Sequence, residues 1–193
     1  MACGDPKAAA KIAILDPELT CSQPRNVTAC TGIDAIAHAV ETAVTRKKTE
    51  LSWMFSKEAF GLLLPHFPKV LNQPDDLNAR GSMLLGAAMA GCAIEASMLG
   101  AAHSTANPLT AHYDIVHGQA VGLMLPHVVR FNAGMESCRE AYGELVRIAN
   151  LGQAGGDATE RLAKRLADLL ELADMPATLR ASGVEESMLP ILA

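Results

Sequence analysis

Residues 32–41 read GIDAIAHAVE, and the spacing of their apolar side chains predicts an amphipathic helix beginning near Thr31. One apolar stripe recurs at i, i+3, i+4, i+7 and i+11, formed by Ile33, Ile36, Ala37, Val40 and Val44. Asp34 and His38 lie one turn apart beside this stripe, and Glu41 and Thr45 continue their face. A polar pair at the edge of a core needs a partner. Either the two side chains hydrogen-bond to each other, or both hold a divalent metal.

The composition favours packed helices over a β-sandwich. Half of the 193 residues are hydrophobic but only 4% are aromatic, so the apolar content is chiefly Ala, Leu, Val, Ile and Met. This length predicts one domain or a large fragment of a bigger protein. The net charge is −5 and the 16 basic residues are not clustered, which argues against a nucleic-acid-binding surface.

Cysteine usage and the N-terminus bear on location. The five cysteines are scattered without a C-x-x-C pair, which predicts a reduced, cytoplasmic setting. The N-terminal MACGDPKAAAK lacks the long apolar core of a signal peptide. Residues 83–102 are long enough to cross a bilayer, but they contain Glu95 and much Ala and Gly, so we predict a central core helix there.

The remaining pattern predicts a mainly α domain with one short N-terminal strand. The strand covers residues 12–16 and ends at an Asp-Pro turn, and a polar connection follows over 20–30. Residues 103–117, which contain Pro108, are expected to be irregular. Further helices are expected at 52–72 (interrupted by Pro65 and Pro68), from Asp75 or Asp76 to about Leu99, and at 118–133, 137–150 and 157–173.

Four of the six histidines fall within residues 100–127. His103 follows one apolar helix and His117 precedes the next, and such helix ends can aim ligands inward. Imidazoles combined with a carboxylate suit a catalytic Fe(II) or Zn(II). The spacing of fourteen residues between His103 and His117 matches no generic zinc signature, so spacing alone leaves the metal open.

Longer motifs carry a family resemblance. GIDAIAHAVE, AHSTANPLTAHYDIVHG (102–118) and LMLPHVVRFN (123–132) together resemble the iron-containing (group III) alcohol dehydrogenases, over about residues 12–189. The resemblance implies a dehydroquinate synthase-like fold in which a helical bundle faces an α/β dinucleotide domain. It also implies that Asp34, His38, His103 and His117 hold a metal that activates the substrate oxygen while NAD or NADP accepts a hydride.

One position departs from the family pattern. Many relatives carry a histidine four residues after the third ligand, near the nicotinamide, where it is a candidate proton relay; this chain has Asn107. An amide cannot exchange protons near pH 7, and His112 is the available substitute. Asn107 and His112 are therefore the implied neighbours of substrate or nicotinamide.

The resemblance covers only the helical half of the family's architecture. The family's Gly-Gly-Ser phosphate loop is absent, and LGQAGGD at 151–157 has the spacing of a helix-connecting turn instead. We expect residues 1–19 to be the remaining strand and turn of a dinucleotide-binding domain. Residues 20–193 would be the helical metal-binding domain, truncated at its C-terminus. Leu19 and Thr20 would keep contact with the cofactor.

The resemblance implies a metal-dependent alcohol dehydrogenase using Fe(II), or Zn(II) instead, with NAD or NADP and a small alcohol or carbonyl substrate. Alone, this chain should show little turnover. Two alternatives stay open: a non-catalytic metal-binding helical subunit, and a glycerol dehydrogenase-like enzyme with a different ligand set. An uncovered apolar face would favour a homo-oligomer or association with a nucleotide-binding domain.

Overall fold

The fold is a helical bundle. The computed structural model describes residues 10–152 and 156–192, and within them it contains eight α-helices and two short 3₁₀ turns. The helices are α1 (Arg25–Thr42), α2 (Glu50–Asn72), α3 (Leu77–Ser97), α4 (Ala101–Tyr113), α5 (His117–Asn132), α6 (Glu136–Ile148), α7 (Ala158–Leu172) and α8 (Leu189–Leu192); the 3₁₀ turns are Glu18–Thr20 and Glu186–Met188.

Helix α1 is the centre of the bundle. It packs against α2, α3, α4 and α5, while α5 also packs on α4 and α7, and α6 joins α2 to α7. The stripe predicted for α1 is buried, with Ile36 and Val40 each 1% exposed. The helix begins at Arg25, six residues before the expected start, because Thr28 and Ala29 extend its buried face toward the N-terminus.

The predicted strand at 12–16 is wrong. These residues have no strand pairing, and Ile12 and Ile14 are 83% and 87% exposed. A strand needs a neighbour to satisfy its backbone N–H and C=O groups. Nothing in the described part of the chain supplies one.

Helix α2 continues through both prolines that were expected to interrupt it. Its capping box is complete, since the Thr49 side chain accepts from Ser52 N and the Ser52 side chain accepts from Thr49 N. Leu63, Leu64 and Phe67 are buried across the proline region. Their packing against the core outweighs the lost backbone hydrogen bonds of the two imino acids.

The irregular segment expected at 103–117 is instead helix α4. Ala102, Ala106 and Leu109 are buried at i, i+4 and i+7, so the segment has a packed helical face despite Pro108. The hydrogen bond that Pro108 cannot donate would have gone to Ser104, which is exposed, so water can satisfy that carbonyl. Tertiary burial therefore overrides the local proline signal.

Helix α3 matches its predicted span, and Asp76 caps it by accepting from Ala79 N at 3.0 Å. Only one face is buried, against α2 and α1, so the core-helix prediction holds for that face alone; Leu85 is 42% exposed. No single described helix is long and apolar enough to span a membrane. Helices α3 and α4 meet that criterion only together, and they are bent by 104° at their junction.

The later helices α5, α6 and α7 lie within a residue or two of their predicted bounds. Part of the predicted turn at 151–156 lies outside the described residues, but Gly152 and Gly156 on either side have φ of 90° and 127°. The four described cysteines are free thiols: Cys21, Cys30, Cys92 and Cys138.

The junction between α3 and α4 contains a strained residue. Met98 ends α3 with φ 73° and ψ 171°, a region that is essentially restricted to glycine, and its side chain is half exposed. The 98–100 break redirects the chain so that His103 enters the bundle in the first turn of α4. The strain at Met98 is therefore a cost of placing His103.

Met98→Gly should raise the free energy of unfolding by about 1 kcal/mol. Relief of the strain contributes roughly 1–3 kcal/mol, and the greater conformational entropy of glycine in the unfolded chain offsets about 0.5–1 kcal/mol of that gain. Urea denaturation measures the change. Asp114→Gly is the control, because Asp114 has the αL conformation (φ 53°) that aspartate tolerates. A Met98→Gly variant less stable than wild type would contradict the strain.

Candidate metal centre

Three helices bring the predicted ligands together. Helix α1 supplies Asp34 and His38 from its middle, α4 supplies His103 from its first turn, and α5 begins at His117. His103 Nε2 lies 3.2 Å and His117 Nε2 lies 3.7 Å from Asp34 Oδ1. One ligand atom from each of these three residues lies within 4.8 Å of the other two.

His38 joins the cluster from a second direction. Its Nε2 lies 3.5 Å from Asp34 Oδ2, the other carboxylate oxygen. Its ring stacks on that of His103, with centroids 4.8 Å apart and planes 21° apart. The structure thus gathers all four predicted ligands, with His103 and His117 near Oδ1 of Asp34 and His38 near its Oδ2.

Two polar atoms inside the cluster lack hydrogen-bond partners. Asp34 Oδ1 and His103 Nε2 are both buried and make no directed hydrogen bond within the described structure, although they lie 3.2 Å apart. Leaving buried polar groups unsatisfied costs roughly 1–3 kcal/mol each. A cation between them would satisfy both, so this arrangement fits a metal site by the chemistry of its donors.

Charged neighbours oppose the effect of burial on the pKa of Asp34 and of His103. Burial would raise the pKa of Asp34, but its contacts with His103, His38 and His117 outweigh this and lower it. Burial would also lower the pKa of His103, but Asp34 and Glu41 raise it to about 9. Burial dominates at His38 and lowers its pKa. The cluster therefore favours one positive charge between the two carboxylates.

Glu41 also belongs to the site, and the sequence analysis did not predict its contact with His103. It is 2% exposed, its Oε2 lies 2.5 Å from His103 Nδ1, and its Oε1 accepts from Ala102 N at 2.6 Å. The i+3 spacing from His38 did put Glu41 on the same face of α1. The contact across 62 residues of chain is a tertiary one that no local pattern indicates.

The two predicted neighbours of the substrate differ in placement. Asn107 is exposed and lies one turn after His103 on the same side of α4. His112 is also exposed, but nine residues of helix rotate it to the side opposite His103. Neither side chain hydrogen-bonds to another described residue. This placement favours Asn107 over His112 as a neighbour of the cluster.

The two predicted cofactor contacts lie in the 3₁₀ turn before α1. Leu19 is 77% exposed, and Thr20 Oγ1 donates to Pro17 O at 2.8 Å. Thr20 also lines a cavity of about 230 Å³ that extends along α1 past Thr31 to Ala35. None of the four candidate ligands is among the residues that line this cavity.

A close helix contact sets the position of His117. A Cβ on Gly118 would lie 2.1 Å from Cys30 O, so only glycine lets the first turn of α5 approach α1 this closely. His117 precedes that contact and reaches Asp34 from it. The sequence motif VHG thus combines a candidate ligand with the glycine that positions it.

This arrangement, four candidate ligands converging from three helices of a bundle, is that of a helical domain with a candidate metal site. Residues 28–193 match the model of a family described as "Fe-containing alcohol dehydrogenase family, C-terminal". The chain therefore belongs to the iron-containing alcohol dehydrogenase family, as the sequence motifs predicted.

Individual relatives agree with this assignment. The chain is 31% identical over 190 residues to an NAD-dependent methanol dehydrogenase from Bacillus methanolicus, covering 98% of this chain and 50% of that protein. It is similar to a crystal structure of 1,3-propanediol oxidoreductase, with TM-score 0.86, 29% identity, and 92% of this chain and 47% of that one covered.

A third relative contains a bound cofactor. A sulfoacetaldehyde reductase from Bifidobacterium kashiwanohense, solved in complex with NAD⁺, matches with TM-score 0.80 and 28% identity, covering 92% of this chain and 45% of that one. In each of the three comparisons, the chain spans half or slightly less of the relative's length.

Gly118→Ala should lower the free energy of unfolding by about 1–3 kcal/mol, because the added methyl group must push α5 away from the α1 backbone. Gly143→Ala in α6 is the matched control: its Cβ meets nothing within 4 Å, so it should gain about 0.5–1 kcal/mol. Urea denaturation compares the two. Equal effects of the two substitutions would contradict the close contact.

Proposed function

We propose that this chain is the metal-binding domain of a metal-dependent alcohol dehydrogenase, which interconverts an alcohol with an aldehyde or ketone by hydride transfer to NAD or NADP. The proposed ligands are Asp34, His38, His103 and His117, with Fe(II) as the metal and Zn(II) as the alternative. The observation that carries this proposal is the pair of buried, unpartnered atoms, Asp34 Oδ1 and His103 Nε2, at the centre of the histidine cluster.

The donor set supports this choice of metal. One carboxylate with three imidazoles suits Fe(II) and Zn(II), whereas Mg²⁺ and Ca²⁺ prefer oxygen ligands. A divalent cation there would supply a Lewis acid that lowers the pKa of an alcohol hydroxyl. The protein's own contribution is to hold the four side chains and to shield them. The side chain of His103 is 8% exposed, whereas that of His117 is 43% exposed and borders the open side where a substrate would approach.

The residues around the cluster receive matching roles. Asn107, on the same side of α4 as His103, is proposed to hydrogen-bond to substrate or nicotinamide. His112 remains a prediction whose position on the opposite side of α4 is unfavourable for a proton relay. Leu19 and Thr20 are proposed cofactor contacts, because Leu19 is exposed and Thr20 borders a cavity that continues along α1 to Ala35.

A nucleotide-binding domain is the proposed partner of this chain. The exposed Ile12, Ile14 and Leu19 offer apolar surface at the end of the chain where the family's α/β domain would precede the helices. Half of the first relative's length also lies beyond the match. We propose that the helical domain faces such a domain in a homo-oligomer, in the reducing cytoplasm that scattered cysteines without a C-x-x-C pair predict.

A second candidate is a glycerol dehydrogenase-like enzyme on the same scaffold. Only Asp34, His103 and His117 place their ligand atoms within 4.8 Å of one another, and His38 approaches the other carboxylate oxygen. A three-ligand site would favour this alternative over the four-ligand alcohol dehydrogenase site. The contribution of His38 to metal affinity separates them.

Metal titration of the purified, metal-free chain tests the site. We expect one Fe(II), or one Zn(II), per chain. His103→Ala and Asp34→Ala should each weaken binding by more than the roughly 10–100-fold typical of residues outside the coordination shell. His127→Ala, an exposed position in α5, is the control and should bind as wild type. Failure of the wild-type chain to bind metal would refute the proposal.

His38→Ala decides between the two candidate functions in the same titration. A loss of affinity comparable to that of His103→Ala supports four ligands and the alcohol dehydrogenase. Unchanged affinity supports a three-residue site and the glycerol dehydrogenase-like alternative. Circular dichroism establishes that each variant is folded before its affinity is compared.

The metal-loaded 193-residue chain should turn over short primary alcohols with NAD slowly or not at all, because its sequence contains no Gly-Gly-Ser phosphate loop. NADH absorbance measures the rate. Adding a separately expressed dinucleotide-binding domain from a relative should raise it. Robust turnover by the chain alone would contradict the dependence on a second domain.

A further inference from the structure

We propose that Glu41 is a positioning residue that holds the His103 ring so that Nε2 faces the metal. This inference rests on the proposed function, because it deepens the assignment of the same site. Glu41 is 2% exposed, and its carboxylate contacts His103 on the ring edge away from Asp34. It is therefore placed to orient a ligand without being one.

The two nitrogens of His103 have different partners. Nδ1 lies 2.5 Å from Glu41 Oε2, and Nε2 lies 3.2 Å from Asp34 Oδ1. An ionised carboxylate can only accept, so Nδ1 must carry the proton and donate it. Nε2 is then left with a free lone pair once the ring is neutral, which is the form that binds a metal.

The second oxygen of Glu41 fixes the carboxylate itself. Oε1 accepts from Ala102 N at 2.6 Å, in the first turn of α4, where backbone N–H groups have no partner within the helix. Gly100, the N-cap of α4, has no side chain to supply this acceptor. The Glu41 carboxylate thus contacts both the backbone N–H of Ala102 and the imidazole of His103. These two contacts fix the His103 ring relative to α4, the helix that carries it.

The surroundings are shaped around this carboxylate. A Cβ on Gly100 would lie 2.9 Å from Glu41 Oε1, so the α3–α4 junction approaches Glu41 through a glycine. Asp34, His38 and Glu41 also occupy one face of α1 at i, i+4 and i+7. A single helix face therefore provides two proposed ligands and the group that orients a third.

Glu41→Gln tests the proposal because it preserves shape but changes hydrogen bonding. If the amide oxygen accepts from Ala102 N, the amide NH₂ faces His103 and favours a deprotonated Nδ1, which moves the proton to Nε2. We expect Zn(II) affinity, measured by chelator competition, to fall about 10–100-fold. Glu58→Gln on the exposed side of α2 makes the same charge change and should leave affinity unchanged.

Proton NMR of the Zn(II)-loaded chain gives a second readout. A hydrogen bond from His103 Nδ1 to a buried carboxylate should produce a slowly exchanging, strongly downfield signal in wild type that His103→Gln assigns. Glu41→Gln should lose or shift that signal. A merely structural role for Glu41 would change the thermal midpoint while leaving both the affinity and the signal as in wild type, and that result would overturn the inference.

Gly100→Ala decides the matter if Glu41→Gln does not fold. It leaves every charge in place but crowds Glu41 Oε1, so it should weaken Zn(II) binding in the same direction by a smaller factor. Wild-type affinity in a folded Gly100→Ala variant would then overturn the inference. Absence of metal binding by wild type would instead refute the proposed function, so the two failures are distinguishable.

Discussion

The carboxylate of Glu41 joins the central helix α1 to the first turn of α4. Helix α3 ends at a strained Met98, and the chain turns by 104° into α4. At that point Glu41 satisfies the backbone of Ala102 and the imidazole of His103 together. On the other side of α1, Gly118 lets α5 pack directly against the backbone of Cys30, because it has no side chain in the way. These two contacts with α1 determine where both later histidines lie relative to Asp34.

Charge explains why the cluster is arranged around one position. The carboxylates of Asp34, which is partly buried, and Glu41, which is buried, lie on opposite edges of the His103 ring, and enclosing both without a counter-charge would be costly. A protonated His103 supplies that counter-charge, since Asp34 and Glu41 raise its pKa to about 9. The same carboxylates that favour an imidazolium there would favour a divalent cation in contact with Nε2. A proton and the proposed metal would therefore compete for one electrostatic site.

The sequence predicted the central features because they are local. The Asp34–His38 spacing and the buried stripe of α1 are readable from helical period, and the start of α5 was predicted at residue 118, one residue after its observed start at His117. It failed where tertiary packing overrides local signals: Pro108 lies inside α4, and residues 12–16 form no strand without a neighbour. The unpaired state of Asp34 Oδ1 and the Glu41–His103 contact depend on three helices meeting, which no local pattern contains.

Adding Glu41 changes the charge of the proposed centre. Three neutral imidazoles, the Asp34 carboxylate and a divalent cation sum to +1, and Glu41 brings the sum to zero. Since Glu41 contacts His103 Nδ1 and not the proposed ligand atoms, its charge would act by making His103 a stronger donor to the metal, and it would occupy no ligand position. A buried site that is neutral before substrate enters avoids the desolvation cost of an isolated charge. In the proposed centre, the carboxylate of Glu41 would offset the charge of the ion from the closed side, while the side chain of His117 stays 43% exposed on the open side.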